Sequence, residues 1–217
     1  MKKKISTLFC VLLVGLKLMS QNIDFKPVTL SADVIAFKAD LTRETAKVKD
    51  IKAEFTQTKK MEFLNEAVVS TGTLYFSEGK RLRWEYEKPY SFVFILNGAK
   101  AWMINQGSTM EIDVNSNKML KELSELMLFG IGGTSLFENR NFDFSFFNSG
   151  ARWKVVLVPK SKEMKSLYKM VELIFTTPSC QMESVRMMET SGDEMVIQLK
   201  NLQTNTQLPD DLFYGKK

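Results

Sequence analysis

The 217-residue chain contains no histidine. That absence removes the commonest general base, the commonest metal ligand and most catalytic triads. Cysteine is nearly absent too: Cys10 and Cys180 are the only two. Cys10 lies in an N-terminal apolar stretch that reads as a removable leader. One thiol then remains, and one thiol forms neither an internal disulfide nor a zinc cluster. Beyond that stretch no apolar run approaches the roughly 20 residues needed to span a bilayer. There is no internal repeat, no low-complexity segment and no dividing linker, so residues 21–217 read as a single domain.

The leader is "MKKKISTLFCVLLVGLKLMSQN". A basic start, an apolar core over residues 5–16 and small Ser20 before Gln21 give the layout of a secretory signal peptide, 1–20, that is cleaved. Bulky Phe9 precedes Cys10 within the apolar core, which argues against lipid attachment there. Lys2, Lys3, Lys4 and Lys17 belong to the leader. Removing these four from the 30 basic residues leaves 26 against 25 acidic ones, a net charge of +1. A chain so close to neutral gives no reason to expect nucleic-acid binding. The expectation is a soluble periplasmic protein.

Apolar surface, by contrast, is plentiful: hydrophobic residues make up 44% of the chain, with 16 Phe and 13 Met. Val34, Phe37, Leu41, Val48 and Ile51 fall at three- and four-residue steps, which predicts an amphipathic helix over 31–51 capped by Ser31. Alternation then predicts strands from about Ala53 and from about Ser70. Further strands are predicted over 81–86, 91–96, 101–104 and 110–114, with turns at Glu78-Gly79-Lys80 and Asn97-Gly98. Leu82, Trp84 and Tyr86 share one strand face, with Arg81, Arg83 and Glu85 opposite. From Asn117, the residues Met119, Leu120, Leu123, Leu126, Met127 and Phe129 predict a helix that Gly130, Gly132 and Gly133 end. Strands over 153–159, 170–176, 184–190 and 195–202 follow, and the tail is a loop with a hook near 212–214. Strands at this spacing with tight turns indicate a meandering antiparallel sheet.

Three stretches invite chemistry and each has a simpler explanation. Glu85 and Glu87 share a strand face, as solvated charges do, although paired carboxylates also serve glycosidases. Ser161 among Lys160, Lys162 and Lys165 reads as a basic hairpin loop, since nothing marks it as an activated nucleophile. "GIGGTS" lacks the Gly-Lys-Ser/Thr ending of a phosphate loop and follows a helix instead of a strand. No catalytic residue, metal site or cofactor is expected. A single curved sheet with few helices to cover it leaves one concave apolar face, and an incomplete barrel with a helical lid encloses a greasy cavity.

Four segments in order carry a resemblance: "AEFTQTKK", "STGTLYFSEGKRLRWEYEKP", "FILNGAKAWMI" and "LPDDLFY". From about Leu30 to the C-terminus the chain resembles the periplasmic outer-membrane lipoprotein carriers, the LolA-like proteins. The resemblance implies a mainly β fold: an open half-barrel of one curved antiparallel sheet, with helices as a lid over a hydrophobic cavity. It implies a chaperone that takes the acyl chains of lipoproteins from an inner-membrane exporter to an outer-membrane acceptor, working as a monomer. By position, Leu74, Phe76, Leu82, Trp84, Phe94 and Trp102 would line the cavity. Leu123, Leu126 and Met127 would sit on the lid. The family often has an arginine in the turn before the Trp strand that ties down the lid; Glu78 stands here, with Arg81 and Arg83 nearby, and these three are the candidates for lid control. Two other readings stay open: a carrier of another envelope lipid or pigment precursor, and a sensor or scaffold domain with a filled barrel.

Overall fold

The computed structural model describes residues 23–29, 31–116, 118–132 and 136–215; the leader read at 1–20 lies outside them, as does Gly133. A two-residue strand β1 (Lys26–Pro27) precedes helix α1 (Ser31–Thr45). Six strands follow as successive hairpins: β2 (Asp50–Lys60), β3 (Val68–Ser77), β4 (Arg81–Lys88), β5 (Phe92–Asn97), β6 (Lys100–Asn105) and β7 (Ser108–Asp113). Helix α2 (Lys118–Gly132) then leads to β8 (Phe142–Asn148) and β9 (Arg152–Pro159). A short helix α3 (Lys162–Leu167) precedes β10 (Tyr168–Thr176), β11 (Met182–Glu189) and β12 (Glu194–Thr204).

All described strands join one antiparallel sheet in the order β1-β8-β9-β10-β11-β12-β2-β3-β4-β5-β6-β7. Each half is a meander, and the halves meet where β12 pairs with β2 from Glu194↔Lys60 to Thr204↔Ile51. Strands β1 and β7 end the order without pairing to each other, so the sheet is curved but not closed. Because successive side chains alternate faces, a single phase runs through the sheet. Leu74 pairs with Trp84, and Trp84 pairs in turn with Phe94, which keeps all three on the inner face. No helix among the described residues is long and apolar enough to cross a membrane.

The inner face carries two packed clusters. One gathers Val155, Leu157 and Trp153 of β9 and Leu173 and Phe175 of β10 beneath Phe37 and Leu41 of α1. Phe37 stacks on Trp153, with ring centroids 4.5 Å apart. The other gathers Phe55, Leu74, Phe76, Leu82, Trp84 and Leu96 on β2–β5. Val185, Met187 and Leu199 on β11 and β12 touch both clusters and join them.

Glycine is required at Gly72. A Cβ there would lie 1.9 Å from the Glu85 carbonyl oxygen and 2.9 Å from the Phe55 ring. The pairing of β3 with β4 shifts register at this point, between Thr71 and Gly72.

The structure departs from the sequence expectations at four elements. The first helix ends at Thr45 instead of running to Ile51. Thr45 returns its hydroxyl to the Leu41 carbonyl at 2.7 Å, the chain turns, and Asp50 already opens β2. Val48 and Ile51 keep the apolar spacing but belong to the turn and the strand. The helix at 118 runs through Gly130 to Gly132. The aromatic stretch after it, to which the sequence reading gives no strand, is β8, with Phe142, Phe144 and Phe146 turned into the first cluster. The expected basic loop around Ser161 is the start of α3: Ser161 caps the helix, its hydroxyl accepting from the Met164 amide at 3.2 Å, while Met164 is fully buried.

The C-terminal segment crosses to the outer face. Asp50 anchors its start, accepting from the Thr206 amide at 2.7 Å, the Thr206 hydroxyl at 2.8 Å and the Gln207 amide at 2.9 Å. Burial favours the neutral form of Asp50. These hydrogen bonds outweigh it and hold the carboxyl below its ordinary value of 3.8. Phe213, fully buried, then lies under the Arg81 guanidinium at 5.1 Å.

Candidate functional site

Where the two halves face each other under α2 they leave a cavity of about 340 Å³. This is near the lower end of the roughly 300–1,000 Å³ common for small-molecule pockets. One wall is Leu74 of β3, Trp84 and Tyr86 of β4, and Phe92 and Phe94 of β5. The facing wall is Val171 and Leu173 of β10, Met182, Val185 and Met187 of β11, and Met195, Ile197 and Leu199 of β12. The roof is Leu120, Leu123, Leu126 and Met127 of α2.

No charged side chain is among the described residues that line it. The polar groups are Gln57, Tyr86, Tyr168, Ser124 and the Trp84 indole. Tyr86 donates to Gln57 Oε1 at 2.8 Å. Burial pushes both phenols, Tyr86 and Tyr168, above their ordinary values, so they stay neutral in ordinary buffers. Four methionines, Met127, Met182, Met187 and Met195, contribute unbranched, adaptable side chains.

The residues singled out from the sequence separate into groups. Leu74, Trp84 and Phe94 line the cavity wall, and Leu123, Leu126 and Met127 form its roof. Leu82 and Phe76 share the inner face but not this cavity. Leu82 is sealed in the packed cluster. Phe76 faces a separate hollow of about 330 Å³ near the end of α1, beside Val48 and the buried Cys180. Trp102 lies on the outer face, packed with Val93 and Ile95. Its partner across the pairing is Ile95, one residue out of phase with Phe94. Its indole N–H donates to Glu111 Oε2 at 2.9 Å, and its ring lies near Tyr214.

The expected lid ties also lie on the outer face. Arg81 pairs with Asp210 at 2.6 Å and donates to Ser77 at 2.8 Å. Arg83 pairs with Glu85 at 2.8 Å and donates to the Leu212 carbonyl at 3.4 Å. The Glu78 carbonyl accepts from Arg81, and its amide donates to the Lys49 carbonyl. The odd-numbered positions of β4 point away from α2, and from there Arg81 and Arg83 hold the C-terminal segment at Asp210 and Leu212. α2 is tied elsewhere. Its buried Glu122 accepts from the Ser161 hydroxyl at 2.5 Å, and Lys118 pairs with Glu163 of α3 at 2.8 Å.

Sequence reading missed the whole facing wall on β10–β12, together with Phe92, Gln57 and Ser124. The signal for that wall was present in the alternation of Val185, Met187 and of Met195, Ile197, Leu199, whose phase matches the pairing Met187↔Met195.

The fold and the cavity define a class of protein: an open antiparallel half-barrel that wraps an apolar hollow roofed by a helix. The sequence profile described as "LolA: Outer membrane lipoprotein carrier protein LolA" matches residues 46–216, and the chain belongs to this family. It is 26% identical over 165 residues to an outer-membrane lipoprotein carrier protein of Methylococcus capsulatus, covering 75% of each chain. A protein of the same description from Legionella pneumophila is 24% identical over 169 residues, 78% of this chain and 80% of that one. Among solved structures, an uncharacterized conserved protein from Thermus thermophilus superposes with a TM-score of 0.51 at 9% identity, covering 85% of this chain and 95% of that one.

Proposed function

We propose that the protein is a periplasmic carrier of acylated lipoproteins, sheltering their acyl chains in the cavity beneath α2 between an inner-membrane exporter and an outer-membrane acceptor. The observation that carries this reading is the uncharged apolar hollow itself, roofed by leucine and methionine. Each methylene moved from water into such a space gains about 0.8 kcal/mol. An acyl chain in aqueous solution therefore needs a shield, and a carrier that must later release it needs a deformable one. Membership of a family whose relatives are described as lipoprotein carriers supports the reading. The leader expected at residues 1–20 delivers the chain to the right compartment. The role is binding, with no catalytic step and no cofactor.

The test is transfer. The purified protein should form a soluble complex with an acylated lipoprotein, and Leu123→Glu or Phe94→Glu should abolish it without lowering the melting temperature by more than a few degrees. Transfer that survives both substitutions contradicts the reading. The modest volume of the hollow favours a second reading, a carrier of a single-chain envelope lipid, and a mass spectrum of lipid co-purified from the native envelope separates the two.

A further inference from the structure

We propose that the cavity reads a neutral hydrogen-bond acceptor on its ligand, the ester carbonyl of an acyl chain, through the Trp84 indole N–H and the Ser124 hydroxyl. This rests on the carrier reading and specifies what that site recognises. Among the described residues, Trp84 Nε1 and Ser124 Oγ are the two buried side-chain polar atoms that have no hydrogen-bond partner. They come from different elements, β4 and α2, 40 positions apart in the chain. Both side chains nevertheless line the same cavity. Trp84 is 8% exposed and Ser124 is 4% exposed.

Buried donors are almost always paired, and one left over calls for an explanation. Ser124 is the more telling of the two. A serine within a helix usually returns its hydroxyl to the carbonyl one turn back, and Ser124 makes no such bond. Gln57 and Tyr86, the other polar pair in the wall, answer each other. An indole N–H only donates, and a serine hydroxyl is free to donate. A ligand that carries an acceptor answers both donors. A carboxylate or phosphate would be an uncompensated charge here, because no Lys or Arg is among the described lining residues. A neutral carbonyl meets both demands. Acyl esters occur in lipoproteins and in membrane phospholipids alike, so the shared chemistry is the ester.

The experiment is displacement of a solvatochromic fluorophore from the full protein by matched ester and ether lipids. One pair is a dihexadecanoylglyceryl lipopeptide and its dihexadecyl ether analogue; the other is the same pair as phosphatidylglycerol. Each pair differs at the carbonyl. The expected result is that the ester displaces the probe about tenfold better than the ether, the equivalent of one well-made hydrogen bond. The pair that competes at lower concentration identifies the source. In Ser124→Ala and Trp84→Phe the ester-to-ether ratio should fall, and in the double variant it should approach one. Equal competition by ester and ether in the unsubstituted protein overturns the proposal while leaving the carrier reading intact, and needs no variant to fold. A ratio that survives the double variant also overturns it. Displacement by none of the four lipids overturns both.

Discussion

The regions beneath α1 and α2 share one sheet and differ in what fills them. Beneath the body of α1 the inner face is closed by large rigid rings, Phe37 on Trp153 with Phe175 and Phe146 around them, and the hollow near the end of α1 is lined in part by charged and polar residues, Glu44, Lys47 and Asn205 among them. Beneath α2 the inner face meets leucines and methionines, and a hollow remains. The helices are held differently as well. α1 is held by apolar packing, with Leu41 fully buried. α2 adds polar ties to α3 through Glu122 and Lys118. A helix fixed by stacked aromatics is part of the core. One resting on adaptable side chains over an open space is free to shift when the space is filled. On this view the region beneath α1 is the frame, and the region beneath α2, walled by both halves of the sheet, is the vessel.

Substitutions that target each region separately put this contrast at risk. The largest effect belongs to the frame: Trp153→Ala removes the partner of Phe37 and should cost about 3–5 kcal/mol in chemical denaturation. Gly72→Ala forces a Cβ against the Glu85 carbonyl and should cost about 2–3 kcal/mol, again by denaturation. Leu123→Ala in the roof should cost only about 1 kcal/mol, because its side chain is already partly exposed beside a hollow, yet it should weaken lipid binding more than Trp153→Ala does under native conditions. The contrast fails if Trp153 and Leu123 prove equally costly.

Asp50, at the start of β2, gives the fold a pH dependence. The folded carboxyl titrates below its ordinary value of 3.8. The stability it contributes is therefore fully present above that value and is lost as pH falls through the lower, folded value. Asp50→Asn should remove about 1–2 kcal/mol at neutral pH and flatten the acid limb of the stability curve. A variant that keeps the full acid response shows that another carboxylate carries it. The smallest effect is expected for Lys118→Ala. Its pair with Glu163 is solvent-exposed, so stability should be unchanged within error; any gain in lipid release rate would show that the ties to α3 restrain the roof.

Much of the sheet is legible from alternation. The phase of Leu74, Phe76 and of Leu82, Trp84, Tyr86 placed one wall on a common face, and the spacing after Asn117 located the roof. The outer face misled. Residues 92–96 are apolar on both sides because Val93 and Ile95 lie with Trp102 beneath the C-terminal segment. A strand apolar on both faces hides its phase. Nothing in the pattern therefore corrects the position that the family resemblance gives Trp102. Arg81 and Arg83 enter as lid ties through the family resemblance; their partners, Asp210 and Leu212, lie 129 positions away in the chain, where local pattern carries no information. The helix predicted to Ile51 failed because an apolar spacing of three and four continues across a turn whose geometry is set by long-range bonds to Asn205.

If the hollow beneath α2 holds acyl chains, native mass spectrometry of the protein purified from its own envelope should find them. A bound acylated species is predicted for the unsubstituted chain and none for Leu123→Glu. A chain that emerges without lipid, and that binds no acylated lipoprotein added afterwards, would contradict the account.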